Sequence, residues 1–388
     1  DRPIDRRGTA CEKWDVAMAR DARVSNPMWV ADMDFRCPDE VVNALCERAA
    51  HPVYGYTEQT DRALAAMLDF MERRHGLKLT PSEQIMLPCV VSGLKAAVQA
   101  FTQPGDRIIV QPPVYGPFYA SARDNGREAA ECPLRRDDAG RYTMDLQSVE
   151  DACRAGARMM FLCSPHNPVG RVWSREELKA LLAVLARYDV LLVSDEIHED
   201  FVYRPGVFVP ALDLAVEAGV RAISMTSASK TFNLAGLVGS YHIIYNKALR
   251  DRVLARSEKP HYNEMNVLSM HALLGAYTPE GREWVDELCE VLSGNVNFAC
   301  DFITRHFPGV QVAKPEGTYM LFLDCTDWCA AHGKTIQDVE KACWAVGAAV
   351  QDGVMFHGPC HLRINLASPR ARIEEAFHRM DRYVFNAK

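Results

Sequence analysis

The octapeptide Thr226-Ser227-Ala228-Ser229-Lys230-Thr231-Phe232-Asn233 follows directly on an apolar run, Ala222-Ile223-Ser224-Met225. The run predicts a buried strand, so the lysine stands where a core strand ends. Removal from water lowers the pKa of an amine at such a place and makes it nucleophilic, which suits covalent attachment of an aldehyde. The two serines before the lysine suit an anion. Taken alone, Ser-x-Ser-Lys is a weak signal, and a solvated lysine on a turn is the better interpretation.

Short apolar runs alternate with helical segments from Gln84 onward. Strands alternating with helices predict a mostly parallel sheet covered by helices on both faces. In such sheets ligands bind beyond the carboxyl ends of the strands, so the residues that follow each strand are informative. The strands predicted in this half of the chain are Ile85–Leu87, Val90–Val91, Arg107–Val110, Met159–Cys163, Val190–Val193 and Ala222–Met225, with a helix that opens at Ser92.

Polar residues follow four of these strands, at Ser92-Gly93, Ser164–Pro168, Ser194–His198 and Ser227–Lys230. Gly93 at a helix N-terminus offers backbone N–H groups to a phosphate, although an ordinary helix cap is the better interpretation for that glycine alone. Asp195 directly ends a hydrophobic strand. A desolvated carboxylate is costly unless a cation pairs with it, and a protonated pyridine nitrogen would do so.

The pattern changes in the last third of the chain. A long helix is predicted from Pro279 to about His306, and strands follow near residues 310–312, 319–323 and 361–366, which indicates a smaller α+β domain. Arg363 alternates with Leu362 and Ile364, so it faces the opposite side of its strand. It is either a plain surface arginine or a bidentate clamp for a carboxylate.

The composition is typical of a soluble globular protein. Hydrophobic residues make up 48% and charged residues 24% of the 388 positions, and this length favours two domains. The formal charge of −7 argues against a nucleic-acid surface. No apolar run reaches the ~20 residues of a membrane span, and the charged N-terminal residues lack a signal-peptide pattern, so we expect no membrane association.

Cysteine usage points to a reducing compartment. Thirteen cysteines are scattered singly, an odd number without paired spacing, so we expect reduced thiols in a cytoplasm. The nearest approach to a metal pattern is His357-Gly358-Pro359-Cys360-His361, with Cys325 and Cys329 elsewhere. Because no second half of matching spacing exists, we predict no metal site.

Two aromatic segments lie near the N-terminus. Trp29 precedes Asp32 and Asp34 in an apolar stretch broken by carboxylates. It is either a wall of a ligand site or part of an arm packed on a neighbouring domain or subunit, and the residues alone favour neither. A turn-rich loop, His51–Thr57, then holds two tyrosines.

Four strand-end motifs together resemble one enzyme superfamily. Asn167 in Pro-His-Asn-Pro-Val-Gly, Asp195 in Ser-Asp-Glu-Ile-His, Lys230 in Ser-Ala-Ser-Lys and Arg363 in Leu-Arg-Ile-Asn occur in the order and near the spacing of the fold type I pyridoxal-phosphate (PLP) enzymes, the aspartate aminotransferase superfamily. The chain resembles in particular the cystathionine β-lyases of MalY/PatB type, which include cystalysin. The motifs that carry this finer resemblance are Asp5–Thr9, Lys13–Asp15, Val30–Phe35, Tyr54–Thr57, Gln111–Tyr115, Ser194–His198, Ser227–Asn233 and Pro315–Tyr319.

The resemblance implies the α/β fold of PLP-dependent transferases, fold type I. We expect a large domain with a mostly parallel seven-stranded sheet and a smaller α+β domain. The implied division is an N-terminal arm with part of the small domain over residues 1–47, a large PLP-binding domain over 48–280 and a C-terminal small domain over 281–388. The resemblance also implies a homodimer whose active site spans the interface.

The resemblance assigns a role to each candidate residue. Lys230 would bind the PLP aldehyde and, once displaced by substrate, abstract the Cα proton. Asp195 would keep the pyridine nitrogen protonated, so that the ring accepts electrons. Arg363 would clamp the α-carboxylate of a small sulfur-containing amino acid. The other implied residues are Tyr115 stacked on the ring and touching substrate, Asn167 at the 3′ oxygen and the substrate, His198 near that oxygen, Gly93, Leu94, Ser227 and Ser229 at the phosphate, and Tyr56 from a second subunit at the phosphate and in catalysis.

Three departures from the superfamily pattern bear on function. Val238 stands where aminotransferases carry a phosphate-binding arginine, which favours a lyase, and His198 stands where they carry a tyrosine. The loop Asp352–Cys360 is shorter than is usual for the branch, which leaves the substrate preference open. Within that loop His357 and Cys360 either border the pocket or fill the surface or core, and the second alternative is favoured.

The reaction that the resemblance favours is α,β-elimination. L-cystathionine or a related cysteine S-conjugate would be cleaved to a thiol (homocysteine from cystathionine), pyruvate and ammonia. An aminotransferase on the same scaffold needs the same Lys230 and differs in returning the Cα proton to the cofactor. A binding or regulatory protein that has kept the fold and lost the chemistry is a third possibility, which failure to take up PLP would indicate.

Overall fold

A computed structural model describes residues 3–137, 140–237, 239–259 and 265–387. None of the described helices is long and apolar enough to cross a bilayer. The α-helices are α1 (Ala17–Arg20), α2 (Asp39–Ala50), α3 (Asp61–His75), α4 (Val90–Phe101), α5 (Pro117–Arg123), α6 (Leu146–Arg154), α7 (Arg175–Arg187), α8 (Ala211–Glu217), α9 (Ala228–Thr231), α10 (Lys247–Glu258), α11 (Val267–Ala276), α12 (Pro279–His306), α13 (Thr326–His332), α14 (Ile336–Ala345) and α15 (Arg370–Met380).

The strands form two main sheets and two short ladders. They are β1 (Asn26–Pro27), β2 (Gln84–Leu87), β3 (Arg107–Val110), β4 (Glu128–Glu131), β5 (Arg135–Arg136), β6 (Tyr142–Thr143), β7 (Met159–Cys163), β8 (Leu191–Asp195), β9 (Ala222–Thr226), β10 (Ser240–Ile243), β11 (Gln311–Val312), β12 (Met320–Asp324), β13 (Ala348–Ala349), β14 (Gln351–Asp352) and β15 (His361–Asn365). A short π-helix, Glu12–Val16, precedes them near the N-terminus.

The larger sheet has seven strands in the order β2-β10-β9-β8-β7-β3-β4. Its pairings are parallel except those that β10 makes with β2 and β9. Both faces are buried: along β7, Met159 and Phe161 lie in one apolar cluster, whereas Met160 and Leu162 lie in another. A strand buried on both faces reads as a continuous apolar run, which is why these strands were predictable. The predicted mostly parallel seven-stranded sheet is confirmed.

The smaller sheet is antiparallel, with the order β11-β12-β15-β14. Helix α12 joins the two halves, because Val285 packs in a core of the larger sheet and Leu292 packs in the core of the smaller one. The N-terminal strand β1 pairs in parallel with β13. Helix α2 runs past the predicted domain boundary at residue 47 and packs closely on α11, where a Cβ on Gly275 would lie 2.5 Å from the carbonyl oxygen of Glu40.

The start of helix α4 differs from the prediction. We predicted a strand at Val90–Val91 and a helix from Ser92, whereas the helix begins at Val90. Both valines are β-branched and typical of strands, which explains the wrong prediction. The local caps decide instead, since Cys89 Sγ accepts the Ser92 N–H at 3.4 Å and Ser92 Oγ accepts the Cys89 N–H at 3.3 Å. These side-chain bonds satisfy N–H groups that would otherwise lack partners at a helix start.

Gly93 therefore lies one turn inside α4 and faces strand β10. A Cβ built on Gly93 would lie 1.6 Å from Cε1 of His242, a side chain that is fully buried. Glycine is required here because helix and sheet approach too closely for any side chain.

We expect Gly93→Ala to destabilise the protein by about 1–3 kcal/mol, because the added methyl group must displace a buried imidazole. Urea unfolding of purified protein measures the change. Gly294→Ala is the matched control, since Gly294 lies in α12 with no heavy atom within 4 Å of the added Cβ. Alanine there should leave stability unchanged or raise it by up to about 1 kcal/mol. Equal stability of Gly93→Ala and wild type would contradict the proposed close contact.

Candidate active site

A cavity of about 380 Å³ opens beyond the carboxyl ends of β7, β8 and β9. This is where ligands bind in parallel α/β sheets. Eight of the eleven residues predicted from the sequence line it, namely Tyr115, Asn167, Asp195, His198, Ser227, Ser229, Lys230 and Arg363. Gly93, Leu94 and Tyr56 do not belong to the lining.

Lys230 lies in the single turn α9, directly after strand β9. Its Nζ donates a hydrogen bond to the carbonyl oxygen of Ala31 at 2.8 Å. Burial, and secondly the positive charge of Arg363, lower the pKa of Lys230 below its usual value. A lowered pKa increases the share of neutral amine, which is the form that attacks an aldehyde or accepts a proton.

Buried carboxylates fix the two ends of the lysine segment. The Thr226 hydroxyl donates to Glu199 Oε1 at 2.6 Å, and the Thr231 hydroxyl donates to Asp200 Oδ2 at 2.6 Å. Asp200 in turn receives an ion pair from Arg74. Because these bonds lie behind the segment, they hold its backbone while the lysine side chain stays directed into the cavity.

Asp195 ends strand β8 and is only 3% exposed. It accepts the Ile197 N–H at 3.2 Å and forms no ion pair with a described residue. Burial raises the pKa of Asp195 to about 7, with a further contribution from the nearby Glu196. The carboxylate is thus held in a place that favours a cationic partner from a bound molecule.

Three further side chains surround the space between Asp195 and Lys230. Asn167 Oδ1 and His198 Nδ1 are both buried without a hydrogen-bond partner among the described residues. Burial, and then the charges of Lys230 and Arg363, lower the pKa of His198 to about 3, so this imidazole is neutral. Burial raises the pKa of Tyr115 to about 12, so the phenol stays protonated. An aromatic side chain and orphaned polar atoms suit a flat ring with polar substituents.

One end of the cavity suits an anion. The start of helix α4 lines it through Cys89, Val90 and Val91, together with Ser227 and Ser229. The first N–H groups of a helix have no carbonyl partner within it and carry the positive end of its dipole. The sequence placed Gly93 at a helix N-terminus, and the resemblance assigned Gly93 and Leu94 to the phosphate. In the structure Leu94 is buried in the core and Gly93 packs on His242.

Arg363 lies on strand β15 and also lines the cavity. Leu362 and Ile364 point into the core of the smaller sheet, and Arg363 points into the cavity. Its Nη2 donates to the carbonyl oxygen of Trp29 at 2.6 Å. The guanidinium lies 4.6 Å from the ring centroid of Phe356. Its Nε is buried and has no hydrogen-bond partner among the described residues. Burial lowers its pKa to about 10, which leaves a cation at neutral pH. With 5% exposure it is not a surface arginine, and its free Nε suits a carboxylate.

The segment 29–35 is both a wall and an arm. Trp29 lines the cavity, and the segment packs between the two sheets. The Asn365 amide donates to the carbonyl oxygens of Val30 and Asp32, both at 2.6 Å, while the Asn233 amide donates to Met33 at 2.9 Å. Trp29 is therefore both a wall of the ligand site and part of an arm that is packed on a neighbouring domain.

The loop before Arg363 contributes other residues than the sequence indicated. Gln351, Met355 and Phe356 line the cavity, whereas His357 and Cys360 do not. His357 stacks on Tyr119 with ring centroids 3.7 Å apart, outside the lining. Met355 was missed because the loop Asp352–Cys360 carries no periodicity that could place its side chains, and Gln351 was missed because its strand, β14, has only two residues. Val238 lies outside the described residues.

These groups fit PLP. Asp195 would pair with the ring nitrogen, Lys230 would take the aldehyde, and the start of α4 with Ser227 and Ser229 would hold the phosphate. The orphaned atoms of Asn167 and His198 mark where a polar ring substituent completes the hydrogen bonding.

Asp195→Asn is expected to stabilise the cofactor-free protein at pH 8 by about 1–3 kcal/mol, because it removes a buried charge without a paired cation. The pKa of Asp195 rises from 3.8 to about 7 on folding. Its contribution to stability therefore falls as the pH rises from about 4 to about 7, and the advantage of the variant should vanish below pH 4.

Urea unfolding of both cofactor-free proteins at pH 4, 6 and 8 measures the effect. Glu217→Gln, at an exposed position, is the control and should show no such trend. A difference between Asp195→Asn and wild type that stays constant over this range would contradict a buried, unpaired carboxylate.

The comparisons identify the family to which this chain belongs. Residues 30–380 match the family model of aminotransferase class I and II. Cystathionine β-lyase PatB of Bacillus subtilis is 34% identical over 385 residues, which is 98% of each chain. The crystal structure of cystalysin from Treponema denticola, which contains PLP, has a TM-score of 0.91 at 29% identity and covers 98% of this chain and 97% of cystalysin. The PLP-bound C–S lyase of Staphylococcus hominis has a TM-score of 0.89 at 28% identity, with the same coverage. This chain therefore belongs to the aminotransferase class I and II family, within its PLP-dependent carbon–sulfur lyases.

Proposed function

We propose that this PLP-dependent carbon–sulfur β-lyase acts on L-cystathionine or a related cysteine S-conjugate. The products would be a thiol, pyruvate and ammonia. The observation that carries the proposal is the convergence of Lys230, Asp195 and Arg363 on one cavity. The name of the Bacillus subtilis relative, at 34% identity over nearly the whole chain, supports cystathionine as the substrate.

PLP, when bound, accepts the electron pair left on Cα. Arg363 would bind the α-carboxylate through its free Nε and so orient the Cα–H bond toward Lys230. The Lys230 amine, whose pKa burial lowers, would take the Cα proton as a general base. The Cβ–S bond then breaks with its electrons on sulfur, and Lys230 or a nearby tyrosine returns a proton to the thiolate. The released aminoacrylate hydrolyses to pyruvate and ammonia.

The same proton chemistry could end in amino transfer instead. Whether elimination or amino transfer follows depends on how the Cα–H and Cβ–S bonds of the bound substrate are oriented relative to the PLP ring. Elimination needs no second substrate, whereas transamination requires a keto acid. The requirement for a keto acid therefore separates the two activities.

We also propose a homodimer whose partner subunit completes the site. Tyr56 is fully exposed at 107%, and Val53 and Tyr54 beside it are exposed as well. Three large apolar side chains in one irregular segment favour a surface that is covered by a partner. In a dimer Tyr56 would reach the phosphate of the partner's PLP.

We propose the cytoplasm as the compartment. All thirteen cysteines are free thiols, which suits a reducing environment. Several of them, including Cys163 beneath the cavity, are buried and packed as small apolar residues.

The PLP-loaded protein should release pyruvate and free thiol from L-cystathionine in equal amounts over many turnovers without a keto acid. Lys230→Ala should lose at least about a thousandfold in kcat while keeping its fold, because the lysine supplies proton transfer and not core packing. Circular dichroism checks the fold of the variant. A single turnover that continues only after a keto acid is added would make the protein an aminotransferase, and failure to bind PLP would indicate a binding protein.

Mixing two inactive variants tests the shared site. Tyr56→Ala and Lys230→Ala should each be inactive at limiting PLP. In an equimolar mixture half of the randomly formed dimers contain one variant of each kind, and one of the two sites in such a dimer has both residues intact. The mixture should therefore recover about a quarter of wild-type activity. Pyruvate release after mixing and re-equilibration measures this. Absence of recovery, with dimers confirmed by sedimentation, would place Tyr56 outside the partner's site.

A further inference from the structure

The cavity carries a carboxylate that the elimination chemistry does not use. Glu12 is part of the lining, and its side chain is exposed, so it stands at the mouth. It makes no hydrogen bond or ion pair with another described side chain. The other acidic residue of the lining, Asp195, is buried and committed to the cofactor.

The backbone that carries Glu12 is anchored although the side chain is exposed. It opens the π-helix Glu12–Val16, which is anchored by its next two residues. Lys13 Nζ lies 3.0 Å from Asp34 Oδ2, and Trp14 Nε1 donates to Asp34 Oδ1 at 2.9 Å. Lys13 and Trp14 are both buried, so the helix cannot swing the carboxylate away from the cavity without breaking these contacts.

Trp29 links this carboxylate to the arginine of the site. The Trp29 indole N–H donates to the carbonyl oxygen of Lys13 at 3.0 Å. The carbonyl oxygen of Trp29 accepts from Arg363 Nη2 at 2.6 Å. Trp29 is therefore bonded both to Arg363 and to Lys13, the residue that follows Glu12.

This arrangement bears on the leaving group, provided that the proposed function holds. With the α-carboxylate on Arg363, the sulfur substituent would extend toward the mouth of the cavity, whose lining includes Glu12, Trp29, Gln351 and Met355. Among the described lining residues the cationic side chains are Lys230 and Arg363, and both already have roles. The mouth thus offers a negative charge, an aromatic face and a thioether, which favours a substituent with an ammonium group, as homocysteine has.

We propose that Glu12 is a specificity-determining residue that selects cysteine S-conjugates whose leaving thiol carries a protonated amine. The ammonium binds the Glu12 carboxylate and lies against Trp29 during cleavage. Elimination itself is unchanged: the Cα–H and Cβ–S bonds break, and the aminothiol leaves with a proton.

The test compares two conjugates of equal length on the PLP-loaded enzyme. S-(2-aminoethyl)-L-cysteine carries the cation, and S-propyl-L-cysteine is its neutral counterpart. The measured quantity is the ratio of their kcat/KM values for pyruvate release at low salt. Glu12→Gln keeps the size and removes the charge, and it should lower this ratio by about 3- to 10-fold, mainly through the KM of the aminoethyl substrate.

Controls separate specificity from structure. Glu217→Gln makes the same change of net charge on the exposed end of α8, away from the cavity, and should keep the wild-type ratio. PLP titration should give the same affinity for Glu12→Gln and wild type. Raised salt should reduce the wild-type ratio, because an exposed charge pair is screened.

Three results would overturn the inference. A Glu12→Gln enzyme that loses activity equally on both conjugates would show a structural role, since the ratio would not move. A wild-type enzyme that cleaves S-propyl-L-cysteine as well as the aminoethyl conjugate would refute the selection of cations and leave the lyase function standing. A wild-type enzyme that cleaves neither conjugate but releases pyruvate from L-cystathionine would refute the selection alone, and one that cleaves none of the three would refute the proposed function with it.

Discussion

The active site depends on hydrogen bonds to the backbone of one extended segment, residues 29–35. Arg363 and Asn365 donate to it from the antiparallel sheet, and Lys230 and Asn233 donate to it from the parallel sheet. A buried backbone group without a partner costs about 1–3 kcal/mol, so the segment is satisfied only when both sheets are in place. The same bonds therefore join the two halves of the molecule and bring the amine of Lys230 and the guanidinium of Arg363 to one cavity.

Desolvation gives these groups their reactivity. Burial is the largest influence on the pKa of Lys230, Asp195 and Arg363, and in each case it disfavours the charged form. A cavity that keeps ionisable groups from water without pairing them is costly for the folded protein alone. The cost is offset when a molecule with complementary charges binds, and PLP with an amino-acid substrate has a cationic ring nitrogen, an aldehyde, a phosphate and a carboxylate. The desolvation of these groups therefore both destabilises the ligand-free protein and favours binding of the cofactor.

The apolar pattern of single strands predicted the positions of three site residues relative to the sheets. Asp195 and Lys230 directly follow continuous apolar runs, and Arg363 alternates with two core residues, so the period of the strand alone locates them. The start of α4 was placed two residues late, because Val90 and Val91 favour a strand by propensity while the caps made by Cys89 and Ser92 start a helix. Such caps are specific side-chain bonds, and a pattern of apolar residues does not report them.

By itself the sequence determined the α/β class, through the alternation of strands and helices along the chain. It also determined the strands of the parallel sheet and the side chains that end them, because each strand follows from the residues of one short segment. Only the tertiary structure decided which distant segments share the cavity. Trp29 and Arg363 are 334 positions apart and are joined by a hydrogen bond of 2.6 Å. Glu12 joins the same lining from the short π-helix Glu12–Val16, and Gln351 and Met355 join it from strand β14 and the loop that follows it. Their placement results from the packing of one sheet against the other through the 29–35 segment, and no local periodicity encodes it.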